Sequence, residues 1–170
     1  MKTTGMVRRV DSLGRIVIPK EIRKVLKIKE NEQVEISVEG NEIILNRYSE
    51  LDDYNESLKL LMDCISDIYK IDILITNLNN IKLVTKKYLY LENKEMSPYL
   101  ANVLGDRKDV IEKDQINISL NSNEKDIETS YFIKTLIING DAVGLIIFLG
   151  NNIDLKLVEL INRYLEKELE

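Results

Sequence analysis

The sequence predicts an α+β chain in two parts, a small basic β-rich part followed by a larger mixed α/β part. Three observations carry that prediction. Residues 5–26 alternate apolar and cationic side chains around a glycine before a short helical stretch. Two turn signals, Gly40-Asn41 and Asn139-Gly140-Asp141, each separate apolar-rich runs of strand length. Two longer segments, one after Tyr48 and one at the end, repeat apolar residues at helical spacing.

The elements follow in order. Val7 and Val10, then Ile16 and Ile18, supply the apolar faces of two short expected strands, with Gly14 allowing the sharp turn between them. Pro19 suits the first position of a helix, where a missing N–H costs nothing, and Ile22, Val25 and Leu26 form its apolar stripe. Gln33–Glu39 folds back on Glu42–Arg47 through Gly40-Asn41. Leu51, Tyr54, Leu58, Leu61, Ile65 and Ile68 then recur at alternating spacings of three and four, a seam that suits either a partner helix or the domain's own sheet. Met62 and Tyr69 widen it. Cys64 lies beside the stripe and reads as a small, partly buried apolar side chain.

Ile71–Thr76 and Ile81–Thr85 flank an Asn-rich turn and predict a hairpin. Ser97 caps a helix that has Pro98 at its first position and runs through Leu104. Ile116–Leu120 is a further strand, followed by the polar loop Asn121–Glu128. Tyr131–Ile138 and Ala142–Leu149 are so continuously apolar that they read as central strands covered on both faces. Leu155–Leu169 closes the pattern as a helix with a wide apolar face.

Charge divides the chain. The whole carries −5, yet residues 1–48 hold ten Lys/Arg against seven Asp/Glu, and residues 49–170 hold fourteen against twenty-two. Within residues 1–29 the balance is nine to two. A polyanion is therefore expected at the N-terminal part, with the acidic remainder facing away from it. No apolar run reaches the ~18 residues of a membrane span, and no signal-peptide core follows the start, so a cytoplasmic location without membrane contact is expected. Histidine is absent and Cys64 is the one cysteine. That removes His-based metal sites and Ser-His-Asp or Cys-His nucleophiles, so no enzyme, no cofactor and no metal are expected.

The motifs G-x-V-R-R-V-D, L-G-R-I-V-I-P, E-I-R-K-x-L and E-I-I-L-x-x-Y, spread over the first 48 residues, closely resemble the DNA-binding module of the AbrB family of transition-state regulators. The resemblance implies that residues 1–50 form a swapped-hairpin β-barrel completed as a dimer through residues 1–48. Independently, some 48 residues in four short strands and one helix bury too little core alone. Residues 51–170, with a linker helix over 51–70, follow an element order similar to GAF-like sensor domains. That order implies an effector-sensing or oligomerising domain, with residues 86–113 able to form a lid over a small-molecule effector. The surplus apolar surface of the two long helices predicts a tetramer through this domain.

By the same resemblance, Arg8, Arg15, Arg23 and Lys24 fall where the family carries its DNA-contacting cations. Lys24 stands where arginine is common, so it is assigned to phosphate rather than to a bidentate base contact. Arg9, Lys20 and Lys2 are second-rank candidates, Arg9 because it alternates with Arg8 on a strand. Asp11 is read as a turn former or arginine-orienting residue. The implied function is a sequence-selective regulator binding double-stranded DNA in the nucleoid, in sporulation or a related bacterial developmental transition. The alternative is an antitoxin of the same N-terminal fold, although antitoxins usually end in a short partner-wrapping tail.

Overall fold

The computed structural model describes residues 6–26, 28, 34–47 and 55–169, and it divides into two units, Met1–Tyr48 and Ser49–Glu170. In the first unit, helix α1 spans Lys20–Val25. Strands β1 (Val34–Glu39) and β2 (Glu42–Arg47) pair antiparallel, with Glu39 opposite Glu42. Gly40 has φ +60°, the conformation that a type II′ hairpin needs at its first central residue. Gln33 lies outside the described residues.

Two expectations change here. The segments around Val7–Val10 and Ile16–Ile18 join no ladder among the described residues. Runs of three or four residues are held as strands only by a neighbouring edge, and neither segment pairs with an edge of the β1–β2 hairpin. Pro19 sits at the N-cap position, with ψ 148°, instead of inside the helix. The pre-set φ of proline starts α1 from just outside, and no side-chain cap is made.

The apolar surface of this unit is largely uncovered. Ile36 pairs with Leu45 and Val38 with Ile43, so the four share one face of the hairpin. Val38 is 74% exposed, and Ile36 and Ile43 are exposed with it. Val7 at 87% and Val25 at 81% are nearly as open as in an extended chain.

The second unit is built on a five-stranded antiparallel sheet in the order β4-β3-β7-β6-β5. Its strands are β3 (Asp72–Thr76), β4 (Ile81–Val84), β5 (Val110–Ile118), β6 (Ile127–Ile138) and β7 (Asp141–Leu149). Along the central strand β7, Ile146 and Phe148 face one way while Leu145, Ile147 and Leu149 face the other. Each set enters a separate buried cluster, which is why this strand reads as an unbroken apolar run.

Helices α2 (Asn55–Tyr69) and α4 (Leu155–Glu168) cover one face. The expected seam on α2 splits. Leu58, Met62 and Ile65 are buried, whereas Leu60, Leu61 and Ile68 point to solvent, and Leu51 and Tyr54 lie outside the described residues. Cys64 is exposed, not partly buried, because the sheet covers the strip through Leu58 and Met62 instead. On α4, Leu157, Val158, Ile161 and Leu165 pack inward and leave Leu160 and Tyr164 outside. Among the described residues no helix is long and apolar enough to cross a membrane.

The opposite face is covered by a 3-10 helix (Lys86–Leu91) and by α3 (Pro98–Asp106). Ser97 Oγ accepts from Leu100 N–H at 3.3 Å and donates to the Ser119 carbonyl at 2.6 Å, with Pro98 at the first helical position. Within the segment expected as a lid, Tyr88, Leu91, Met96, Leu100, Val103 and Leu104 are buried and fill that face themselves. Strand β5 begins at Val110, six residues before its expected start, and its middle carries exposed Lys113, Asp114 and Gln115. An edge strand with a bulge between Glu112 and Ile116 needs few apolar residues, so hydropathy alone hides it.

Candidate nucleic-acid interface

The N-terminal cations are arranged around one tight turn. Gly14 N–H donates to the Asp11 carbonyl and Asp11 N–H to the Arg15 carbonyl, each at 3.0 Å, with Gly14 at φ +76°. A side chain at that φ would be strained, so glycine sets the turn. The Asp11 carboxylate accepts from the backbone N–H of Leu13 at 2.9 Å and of Arg15 at 2.8 Å. Its second oxygen accepts from Arg15 Nε, also at 2.8 Å.

One carboxylate thus closes the turn and aims a guanidinium. The Arg15 backbone N–H and then its side chain hold the Asp11 carboxyl below its ordinary value of 3.8. A depressed carboxyl stabilises the turn at neutral pH, and that contribution disappears only as pH falls through the lowered value. Arg15 itself stays open, its side chain 71% exposed, so the pair leaves most of its donors free.

Arg8 and Arg9 are exposed on the segment leading into the turn. Lys20 and Lys24 are exposed on α1, and Arg23 and Lys24 occupy its last turn. Arg23 differs from the others. It is half-buried, and its Nε is shielded from solvent with no hydrogen-bond partner in this structure. A shielded guanidinium N–H without an acceptor is costly, and being closed to solvent it is also closed to an anion in this conformation. No sequence pattern signals this, because it depends on what packs around the side chain. Lys2 lies outside the described residues.

The arrangement presents cations on a rigid turn and a short helix, with Asp11 and Glu21 as nearby acids. Asp11 is already occupied by Arg15. Such a surface suits phosphate neutralisation together with bidentate contact to guanine edges. Among the described residues no group of His, Cys, Asp and Glu could hold a metal ion.

Comparison with known proteins locates both units. A family model described as antidote-toxin recognition MazE, bacterial antitoxin, matches residues 7–51. One described as stage V sporulation protein T C-terminal, transcription factor, matches residues 45–170. The chain is 32% identical over 180 residues to stage V sporulation protein T of Bacillus subtilis (strain 168), spanning 100% of this chain and 99% of that protein. It is 54% identical over 48 residues to the transition state regulatory protein AbrB of the same organism, covering 28% of this chain and 50% of that one. A solution structure of the N-terminal DNA recognition domain of the Bacillus subtilis transition-state regulator AbrB is 53% identical, covers 29% of this chain and 92% of that one, and superposes with a TM-score of 0.25.

Proposed function

The chain belongs to the stage V sporulation protein T family of transcription factors, and we propose that it is a sequence-selective DNA-binding regulator acting in sporulation or a related developmental transition. The observation that carries the reading is the cation set on the Asp11–Arg15 turn and α1, with Arg15 aimed by Asp11. Arg8, Arg15 and Arg23 serve as the principal DNA contacts. Lys24 serves phosphate, and Arg9, Lys20 and Lys2 are second-rank contacts. The protein works in the cytoplasm at the nucleoid and performs no reaction.

Each of Arg8→Ala, Arg15→Ala and Arg23→Ala is expected to weaken specific binding by about 1–3 kcal/mol. Lys24→Ala weakens specific and scrambled sequences alike. Fluorescence anisotropy on matched and scrambled duplexes measures both. Unchanged affinity in all three arginine variants, with folding intact, rejects the assignment.

The first unit completes its core as a swapped-hairpin dimer. Support comes from its exposed apolar residues among those described: Ile36, Val38 and Ile43 on the hairpin, with Val7 and Val25 elsewhere. Interleaving two copies would cover that surface and present two sets of arginines to a two-fold DNA site. Residues 1–52 alone are expected to sediment as a dimer whose Tm rises with concentration. A folded monomer at micromolar concentration excludes this arrangement.

The second unit is a GAF-like domain that senses an effector, joins dimers into a tetramer, or does both. Leu60, Leu61 and Ile68 on α2, with Leu160 and Tyr164 on α4, offer apolar surface on the sheet's helical side. The full chain should scatter light as a tetramer, and Leu61→Glu with Ile68→Glu should reduce it to dimers. A native dimer at micromolar concentration ends the tetramer reading.

A second reading as an antitoxin draws on the MazE match over residues 7–51. The folded second unit and the full-length likeness to a sporulation protein weigh against it. A toxin copurifying in stoichiometric amount with the native protein would reverse that balance.

A further inference from the structure

The covers on the two faces of the second unit's sheet meet at its β4 edge, where charged side chains join them. On one face α2 lies over β3 and β4, while α4 lies over β6. The 3-10 helix of the other face follows β4 directly in the chain. Lys59 and Asp63 stand four residues apart on α2 and so share a face. Lys59 Nζ donates to Glu92 Oε1 at 2.7 Å, just past the last residue of the 3-10 helix. Asp63 Oδ1 accepts from the backbone N–H of Lys86, the first residue of that helix, at 3.3 Å, and Asp63 Oδ2 lies 3.9 Å from Lys86 Nζ. Helix α2 therefore holds the 3-10 helix at both ends.

The stronger of these contacts is partly withdrawn from water. The Lys59 and Glu92 side chains are 31% and 28% exposed, against 70% and 49% for Arg163 and Glu159 on α4. Solvent and salt screen an exposed pair until little remains, and screen a half-buried one much less. What the pair holds is a segment with a joint. A 3-10 helix seldom runs past about three or four residues. This one spans six, and Tyr88 leaves helical geometry inside it, with φ −111° and ψ 19°, so two short turns meet there. Tyr88 and Leu91 are buried in the cluster on that face, while Leu89 and Tyr90 stay outside. A repacking of that cluster that shifts Leu91 shifts Glu92, its neighbour in the chain.

We propose that Lys59–Glu92 and Asp63–Lys86 form a clasp that passes displacement of the 3-10 helix to α2, the first described helix after the DNA-binding unit, and thereby regulates DNA binding. The clasp names the moving part of the second unit, and only its consequence for DNA rests on the regulator reading.

The test uses the full chain with Lys59→Met, Glu92→Gln and the two combined. Hydrogen exchange read by mass spectrometry follows the amides of α2 and α4, and fluorescence anisotropy follows a duplex that the parent binds. Each single change is expected to speed exchange in α2 and leave α4 as it was. Each should also weaken DNA binding by about three- to tenfold, the scale of coupling through a packed element. The combined variant should be no weaker than either single one, because one contact can be lost only once. Lys94→Met is the control: it breaks the ion pair with Glu124, which ties the residues after the 3-10 helix to the loop before β6 and not to α2. It should leave α2 exchange and DNA affinity unchanged.

Unaltered exchange in α2 overturns the clasp. So do single effects that multiply in the combined variant, or a Lys94→Met protein that loses as much DNA affinity as the others. Loosening of α2 with DNA affinity unchanged overturns the regulatory step. A parent that binds no duplex ends the regulator reading instead, and the exchange results still judge the clasp.

Discussion

Raising salt from about 50 to 200 mM should lower DNA affinity by roughly three to four orders of magnitude. The size follows from counterion release, in which each neutralised phosphate contributes about −0.9 to the slope of log affinity against log salt. A two-fold dimer using three or four cations per subunit gives a slope of roughly −5 to −7 by that rule. Arg8, Arg9, Arg15, Lys20 and Lys24 are exposed and Arg23 is half-buried, and among the described residues Arg15 is the one of these with an acid paired to it. Anisotropy titrations at four or five salt concentrations yield the slope directly. A slope near zero would mean that these side chains do not meet phosphate, whatever their contribution to folding.

Gly144→Val should destabilise the second unit by about 3 kcal/mol or more, because the site has no room for even one added carbon. A Cβ at Gly144 would lie 1.8 Å from the Thr76 carbonyl oxygen and 2.9 Å from its carbon. Those are backbone atoms of the adjacent strand β3 and have no rotamer to change. Retreat of β3 would also break the buried bond from Leu145 N–H to Thr76 Oγ1, 3.0 Å long. On a unit of this size the loss corresponds to roughly 10 °C in Tm, read by thermal circular dichroism. Gly105→Ala is the control: its position on α3 is open, and the change should stabilise by about 0.4–1 kcal/mol. A Gly144→Val protein melting within about 2 °C of the parent would disprove the close approach.

Much of the second unit was legible in the sequence because its cues are local. Ser97-Pro98 carries its cap and its fixed φ within two residues, and the structure starts α3 there. Asn139-Gly140-Asp141 places positive φ at Asn139 and Gly140, and the hairpin of β6 and β7 turns at that point. The double-sided apolar character of Ala142–Leu149 marked a strand covered on both faces, and β7 is central. Edge strand β5 was missed at its start because a strand with one neighbour and a solvent-facing bulge needs no apolar run.

The basic motif of the first unit and the helical periods of α2 and α4 are properties of the amino-acid order alone: spacing along a chain determines which side chains share a face. That order also announced the Gly14 turn and the part of Asp11 in it, since both act within five residues. Which of the shared faces is covered was decided by tertiary structure. The sheet took Leu58 and Met62 from one α2 stripe and left Leu61 and Ile68 outside. Packing likewise shielded Arg23 Nε, closed Thr76 over Gly144, and left Asn162 Oδ1 without a partner. Burial and hydrogen-bond satisfaction depend on atoms contributed by residues far apart in the chain, and no local pattern encodes where those atoms will meet.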